Sequence, residues 1–429
     1  MAARQSSTNL TRTTFFRSRD SVNAASATPM SESTSESTSL FLALPLELRE
    51  IVYKLFLSEI QHNLSWKQQP SNEHFKLLHV CRQISSEAEE LAGFRSYVTL
   101  SHEAQITAFN HNISDDQALK ITAIDVGNDA RLVHAPGHPV AVPASQLYVV
   151  LNRLVSLRKL RVFECNRSRP ISDFTLGSRF TLNFEKALFP FSRAPDLDCY
   201  ELCLSPFKSS ARIFQVLSSQ TCTALRLSGN CEIQRGTVLP KLLNLTISGV
   251  TGHHLDHRIE QHFGQSYLKT FQYRLGDRSG ARFELRDRHL ESLAFGQASR
   301  LEKLSLLGCN RLSTSTLTSC LNNLKSLRHL ALSFVYDHDL DNNFVVAFPL
   351  SLSVLKLAVT NAWYAVPRLN DELLLRESAE ELVILRNPSL NVVCIQFRDE
   401  IMGERGLYWR QVSAEHKFNL NLGPWDEDF

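Results

Sequence analysis

The densest set of metal-ligating side chains in the sequence is His253-His254-Leu255-Asp256-His257, followed by Glu260 and His262. His253 and His257 stand four apart, so a helix would put both on one face, where zinc could be held. No second cluster supplies the further ligands such a site needs. Short histidine runs are compositional signals, and a solvated helix between repeats accounts for this one equally well. The chain contains no G-x-x-x-x-G-K-[ST], G-x-G-x-x-G, G-x-S-x-G or H-E-x-x-H motif. The phosphate cradle, dinucleotide fingerprint, nucleophile elbow and zincin helix are therefore missing. No catalytic residue, metal ligand or cofactor is assigned, and the expectation is that the protein is not an enzyme.

The chemistry that remains is recognition by charge. Flanking the inward residues of six predicted strands are Lys159, Arg161 and Phe163; Ala224, Arg226 and Ser228; Asn244, Thr246 and Ser248; Lys303, Ser305 and Leu307; His329, Ala331 and Ser333; and Val354, Lys356 and Ala358. This set holds five Lys or Arg and no acid. If these residues share one concave surface, that surface suits an acidic or phosphorylated protein segment, which arginine can grip bidentately. The predicted substrate-binding residues are Lys159, Arg161, Phe163, Arg226, Lys303, His329 and Lys356. A chance lean in charge over so small a surface is the alternative.

The element that must position them is a leucine ladder of the form L-x-x-L-x-L. Its copies begin at Leu157, Leu197, Cys222, Leu242, Leu268, Leu301, Leu327, Leu352 and Leu390, the last being doubtful. The steps between them are 40, 25, 20, 26, 33, 26, 25 and 38 residues, five of which fall within the leucine-rich-repeat period. In each copy the central L-x-L is a short strand with both apolar residues inward. A trailing Asn or Cys, as in Asn230 and Cys309, is expected to cap the turn inside the coil. One repeat cannot bury its leucines, but a stack can. His289–Leu293 reads as the helix ahead of the Leu301 strand.

Residues 1–38, ending in SESTSESTS, lack the large apolar residues needed to offset the entropy of ordering and read as a disordered tail. Four arginines before Asp20 give the tail a weak likeness to a transit peptide, but a secretory signal's apolar core is missing. From Leu44 to Leu57 the chain reads as a helix. Pro45 suits its first position, and Leu48, Ile51, Val52 and Leu55 form one apolar stripe. A loop over 58–73 leads to a second amphipathic helix bearing Leu77, Val80, Cys81, Ile84, Ala88 and Leu91, with Gly93 as its C-cap. Residues 98–150 read as a connecting or capping region with one strand at Ile121–Val126 and a loop at His134–Pro143. Residues 151–400 form the repeats and 401–429 a cap or acidic tail. The net charge of +2 does not favour nucleic acid, and no apolar run is long enough to span a bilayer. Nine scattered cysteines with no C-x-x-C pair suit reduced thiols in the cytoplasm or nucleus.

Leu44-Pro45-Leu46-Glu47-Leu48-Arg49-x-x-Val52-Tyr53 and Leu78-His79-Val80-Cys81-Arg82-Gln83-Ile84-Ser85-Ser86-Glu87-Ala88 resemble the head of fungal F-box-like proteins with C-terminal leucine-rich repeats. Ile84 stands where the usual F-box has tryptophan, and the Val80-Cys81-Arg82 segment comes about ten residues later than usual. The resemblance implies an α/β fold: an irregular leucine-rich-repeat solenoid preceded by a small helical F-box-like domain, here 40–97. It also implies a non-catalytic substrate receptor of a Skp-cullin-type ubiquitin ligase. Leu44, Pro45, Leu48, Ile51, Val52 and Leu55 would then contact the Skp-type adaptor or pack behind that contact, and the repeats would hold an unidentified protein substrate. A degenerate head serving only as a structural cap on an interaction scaffold is the other reading.

Overall fold

In the computed structural model the described residues are 39–61, 70–91, 93–101, 103–127, 132–133, 142–143, 145–163, 184–190, 194–204, 210–252, 254–276, 282–294, 300–337, 340, 343–383, 389–403 and 405–427. The expected N-terminal tail, Cys165, His253 and most of the loop at 134–143 lie outside them. Two helices open the chain, α1 (Leu46–Gln61) and α2 (Arg82–Glu90), followed by β1 (Tyr97–Leu100). Then come α3 (Glu103–Asn112), α4 (Asp115–Lys120), β2 (Ala123–Val126), the short pair β3 (Leu132–Val133) and β4 (Val142–Pro143), α5 (Leu147–Arg153) and β5 (Lys159–Phe163). The middle holds α6 (Phe184–Leu188), β6 (Cys199–Cys203), β7 (Ser210–Ile213), β8 (Ala224–Ile233), β9 (Asn244–Val250), α7 (Ile259–Phe263) and β10 (Thr270–Arg274). The last part holds α8 (Asp287–Ala294), β11 (Lys303–Cys309), α9 (Thr314–Asn323), β12 (His329–Tyr336), β13 (Val354–Asn361), α10 (Leu369–Glu381), β14 (Val392–Gln396), α11 (Asp399–Met402), α12 (Arg405–His416) and β15 (Asn419–Leu422).

The architecture is α/β, with a 13-stranded parallel sheet running β1-β2-β5-β6-β8-β9-β10-β11-β12-β13-β14-β15 and β7 attached to β8. Such a strand order, with most strands beside their sequence neighbours, is compatible with a solenoid-like fold. Every ladder copy supplies one strand, from Leu157 in front of β5 to Leu390 in front of β14. The register is common to all of them: Val98, Ile124, Leu160, Tyr200, Leu225, Leu245, Phe271, Leu304, Leu330, Leu355 and Val393 form one column through successive pairs. All eleven are buried. Each such side chain contributes about 1.5–3 kcal/mol relative to exposure, but only because its neighbours in the stack exclude water from it.

Residues 98–150, expected to connect or to cap, contribute strands to the sheet: β1 pairs with β2, and β2 pairs with β5. Tyr97–Leu100 is buried on both faces, so it shows no alternation to read. Asn230 is exposed, and the neighbouring Cys231 takes the buried position, because β8 runs on unbroken to Ile233 and its alternation from Leu225 and Leu227 puts Asn230 on the outer face. Cys309, the other trailing residue, is buried, and glycines line these turns. Gly249 has φ +62°, and a Cβ on Gly276 would lie 2.8 Å from the Gly249 Cα.

The head has its own small core of Tyr53, Ile84, Ala88, Leu91 and Phe94. The second helix begins later than expected: residues Glu73–His79 form a 3-10 turn, Val80 is 60% exposed, and Cys81 caps α2 by accepting the Ile84 amide hydrogen at 3.5 Å. Asn72 joins the head to the sheet. Its Oδ1 accepts from Thr99 N at 2.8 Å and its Nδ2 donates to Thr99 O at 2.6 Å, which satisfies edge groups of β1. His74, buried among Phe75, Phe94 and Tyr97, is pushed down to about 4 by burial and stays neutral. Among the described residues no helix is long and apolar enough to cross a membrane.

Gly276→Ala should destabilise the protein by about 1–3 kcal/mol through overpacking against the Gly249 backbone. The urea midpoint measures this, and an unchanged midpoint would show that the two turns are not in close contact.

Candidate functional site

The face of the sheet opposite the leucine core carries the residues between the inward positions, and it has two electrostatic regimes. On the N-terminal strands the central row reads Thr99, Asp125, Arg161, Glu201 and Arg226. Acids do occur on this face, contrary to the all-basic expectation. Arg161 Nε lies 3.1 Å from Asp125 Oδ1 and 3.2 Å from Glu201 Oε2, with both Arg161 and Asp125 1% exposed. Tyr97 Oη donates to Asp125 Oδ2 at 2.6 Å. Burial pushes the Asp125 carboxyl up to about 6, against the pull of Arg161 and Tyr97. Phe163 is fully buried and Arg226 is 8% exposed. Arg161, Phe163 and Arg226 are therefore not a free binding surface, and only Lys159 of the predicted residues on these strands is half-exposed. The alternation of charge from strand to strand is the reason: each arginine is desolvated among its neighbours.

On β10–β13 the strands put basic side chains and no acid on the same face. Arg274, Lys303, His329 and Lys356 project from four successive strands, and the residues between them are Gln272, Ser305, Leu307, Ala331, Ser333 and Ala358. The counter-charge comes from the end of the chain. After β15, Gly423 turns at φ +115°, and residues 424–427 cross back over the sheet. The Glu427 carboxylate, 2% exposed, sits with Oε1 2.7 Å from Lys303 Nζ and 2.8 Å from His329 Nε2. Its Oε2 lies 2.6 Å from Lys356 Nζ. Ser305 Oγ donates to Oε1 at 3.4 Å. Burial alone would raise the Glu427 carboxyl, but His329, Lys303 and Lys356 hold it well below the usual carboxylate range. Arg274 pairs with Asp426, Lys356 Nζ donates to the Asp426 carbonyl at 2.9 Å, and the Trp425 indole donates to Leu357 O at 3.4 Å. Of these residues the sequence pattern points to Lys303, His329 and Lys356, and 401–429 reads from sequence as a cap or acidic tail. Arg274 is absent from the predicted set; the signal for it is its place directly after Tyr273 in the copy that begins at Leu268.

The α1 helix presents a second surface. Leu44, Leu48, Ile51, Val52 and Leu55 are 38%, 48%, 51%, 45% and 63% exposed, and Pro45 is exposed beside them. The stripe thus faces away from the head's core. Behind it, Arg49 donates to Glu87 through Nε at 2.9 Å and Nη2 at 2.6 Å, and to the Leu42 and Leu44 carbonyls. Tyr53 Oη donates to Glu87 Oε2 at 2.9 Å, and Gln83 donates to Oε1 at 2.9 Å. The Arg49 hydrogen bond leads the effects that hold the Glu87 carboxyl at about 2.

Of the histidine run, His253 lies outside the described residues; His254 Nε2 accepts from Ile233 N at 3.1 Å, and His262 Nδ1 lies 2.7 Å from Thr237 O. No group of three or more His, Cys, Asp or Glu that could hold a metal ion occurs among the described residues. Burial pushes Cys203 up to about 11 and Cys222, Cys231 and Cys320 to about 12, so these thiols stay protonated at neutral pH. No protein-family model matches the chain, and no curated protein matches it in sequence.

Arg161→Ala should cost about 3–5 kcal/mol of stability, because it leaves the buried Asp125 and the largely buried Glu201 without their cation. Chemical denaturation reads this directly, and a loss below about 1 kcal/mol would mean the ladder is solvated. A second expectation concerns pH. The Glu87 carboxyl lies lower in the folded protein than its ordinary 4.5. The stability from its contacts is therefore complete above pH 4.5 and drains as pH falls towards 2. Glu87→Gln should shrink the difference in melting temperature between about pH 6 and about pH 3; an equal difference in both proteins would rule this contact out.

Proposed function

We propose that the protein is a non-catalytic substrate receptor of a Skp-cullin-type ubiquitin ligase, working in the cytoplasm or nucleus. The head would bind the Skp-type adaptor, and a leucine-rich-repeat sheet would hold an acidic segment of a protein target. The observation that carries the reading is the exposure of the α1 stripe. Leu44, Leu48, Ile51, Val52 and Leu55 recur at helical spacing, yet each is more than a third exposed. An apolar face of this kind on a helix whose opposite side is locked to α2 suits a partner that covers it. In the sequence resemblance these are the positions that meet the adaptor. The residues that complete the resemblance, Arg49, Tyr53, Cys81, Ile84, Glu87 and Ala88, hold the head together.

A second reading is favoured by one contact. Asn72 fills the edge of β1, as a structural cap would, and a cap needs no adaptor. On that reading the protein is an interaction scaffold without a ubiquitin role.

Ile51→Asp combined with Leu55→Asp separates the two. Both positions are exposed, so the melting temperature should stay within a degree or two, as for ordinary surface changes of about 0.5 kcal/mol. On the receptor reading, co-purification with the Skp-type adaptor should fall at least tenfold. If the unaltered protein does not associate with the adaptor in its native host, the receptor reading fails and the scaffold reading stands.

A further inference from the structure

The cationic half of the sheet face differs from the rest in how its charge is neutralised. Asp125 and Glu201 flank Arg161 on the two adjacent strands, and Arg226 stands across from Glu201. On β10–β13 no strand contributes an acid to this face, and the carboxylate arrives from a residue 122 positions beyond Ser305. Stacking alone does not require this arrangement, since an acid on any of the four strands would serve stability as well. A row of basic side chains whose counter-charge comes from a crossing segment and not from the strands is what a site for an anionic segment looks like with an occupant in place.

The occupant now present also defines what fits. Residues 424–427 add no strand to the sheet. Parallel strands lie about 4.8 Å apart, and an extended chain advances about 3.4 Å per residue. A short segment crossing the strands can therefore set one carboxylate among Lys303, His329 and Lys356 while its preceding residues reach Lys356 and Arg274. Three contacts discriminate: a buried carboxylate, a second acid one residue earlier on Arg274, and an aromatic ring two residues earlier. The ring of Trp425 lies 5.9 Å from Lys356 Nζ, and its N–H reaches the Leu357 carbonyl. The hold is polar and local. Trp425 is outside the continuous apolar core, and the Asp426 side chain is 85% exposed. A segment tied down in this way opens without unfolding the sheet.

We propose that Arg274, Lys303, His329 and Lys356 form a binding site for an aromatic-acid-acid peptide, and that residues 423–427 occupy it in cis as a displaceable competitor. The proposal rests on reading this face as the capture surface for an acidic segment, and it is independent of the adaptor. In cis the segment has an effective concentration of millimolar order, so it silences the site towards weak ligands and yields to a partner that makes more contacts.

The test uses the full chain and a fluorescein-labelled peptide of sequence GPWDEDF, residues 423–429. Against the unaltered protein the peptide should bind weakly. Against a Trp425→Ala, Asp426→Asn, Glu427→Gln variant it should bind at least tenfold more tightly, and adding Lys303→Ala and Lys356→Ala should abolish that gain. Equal binding by the unaltered and altered chains, or a gain indifferent to the two lysines, overturns the proposal. A second measurement needs no altered tail. With 5-fluorotryptophan incorporated, the Trp425 resonance, assigned by its loss in Trp425→Phe, should move towards its solvent-exposed position as the peptide reaches millimolar concentration. A stationary resonance shows a fixed plug and again overturns the proposal. If the altered chain binds the peptide yet captures no partner from native extract, the capture reading fails while the site stands.

Discussion

The backbone register shared by twelve strands is the constraint on which the other features depend. It puts Leu160, Leu225, Leu245, Leu304, Leu330 and Leu355 in one buried column, and a slip of one residue in any strand would expose its leucines and drive its charges into the core. No coil could hold that register alone. The apolar row of one strand becomes dry only when the strands on either side of it are in place, so the alignment is a property of the whole sheet.

Once the register is fixed, the opposite face is fixed with it. Residues directly across a parallel pair are about 4.8 Å apart, close enough that neighbouring charges on a crowded face must oppose one another or be paid for in desolvation. Asp125, Arg161 and Glu201 satisfy that condition within the sheet. Lys303, His329 and Lys356 do not, and the Glu427 carboxylate completes them from outside it. The same surface is thus neutralised by its own strands at one end and by a crossing segment of the chain at the other.

The head follows a different logic. Its motif residues divide between those that turn inward to join two helices, Arg49, Tyr53 and Glu87, and those left outside, Leu48, Ile51, Val52 and Leu55. A short helical unit of this size has a core of few residues. It obtains rigidity from one bidentate arginine–carboxylate pair and from the Asn72 contact with the sheet edge.

The leucine ladder was legible because inward positions recur at spacings of three and two residues, and that periodicity is local. All nine copies lead into strands for this reason. The strands at Tyr97–Leu100 and Asn419–Leu422 belong to the same sheet but carry no such repeat, so only pairing to neighbours revealed them. Periodicity also marked the α1 stripe as apolar without saying which way it faces; the Arg49–Glu87 pair decides that by turning the other side inward. For the charged residues the sequence determined type and approximate face. Arg161 is buried because Asp125 and Glu201 come from the coils on either side, and Lys356 is bound because a segment 70 residues later folds across it. A charge's role depends on what lies within about 4 Å of it, and that neighbourhood is assembled by stacking coils far apart in the chain, which no local pattern encodes.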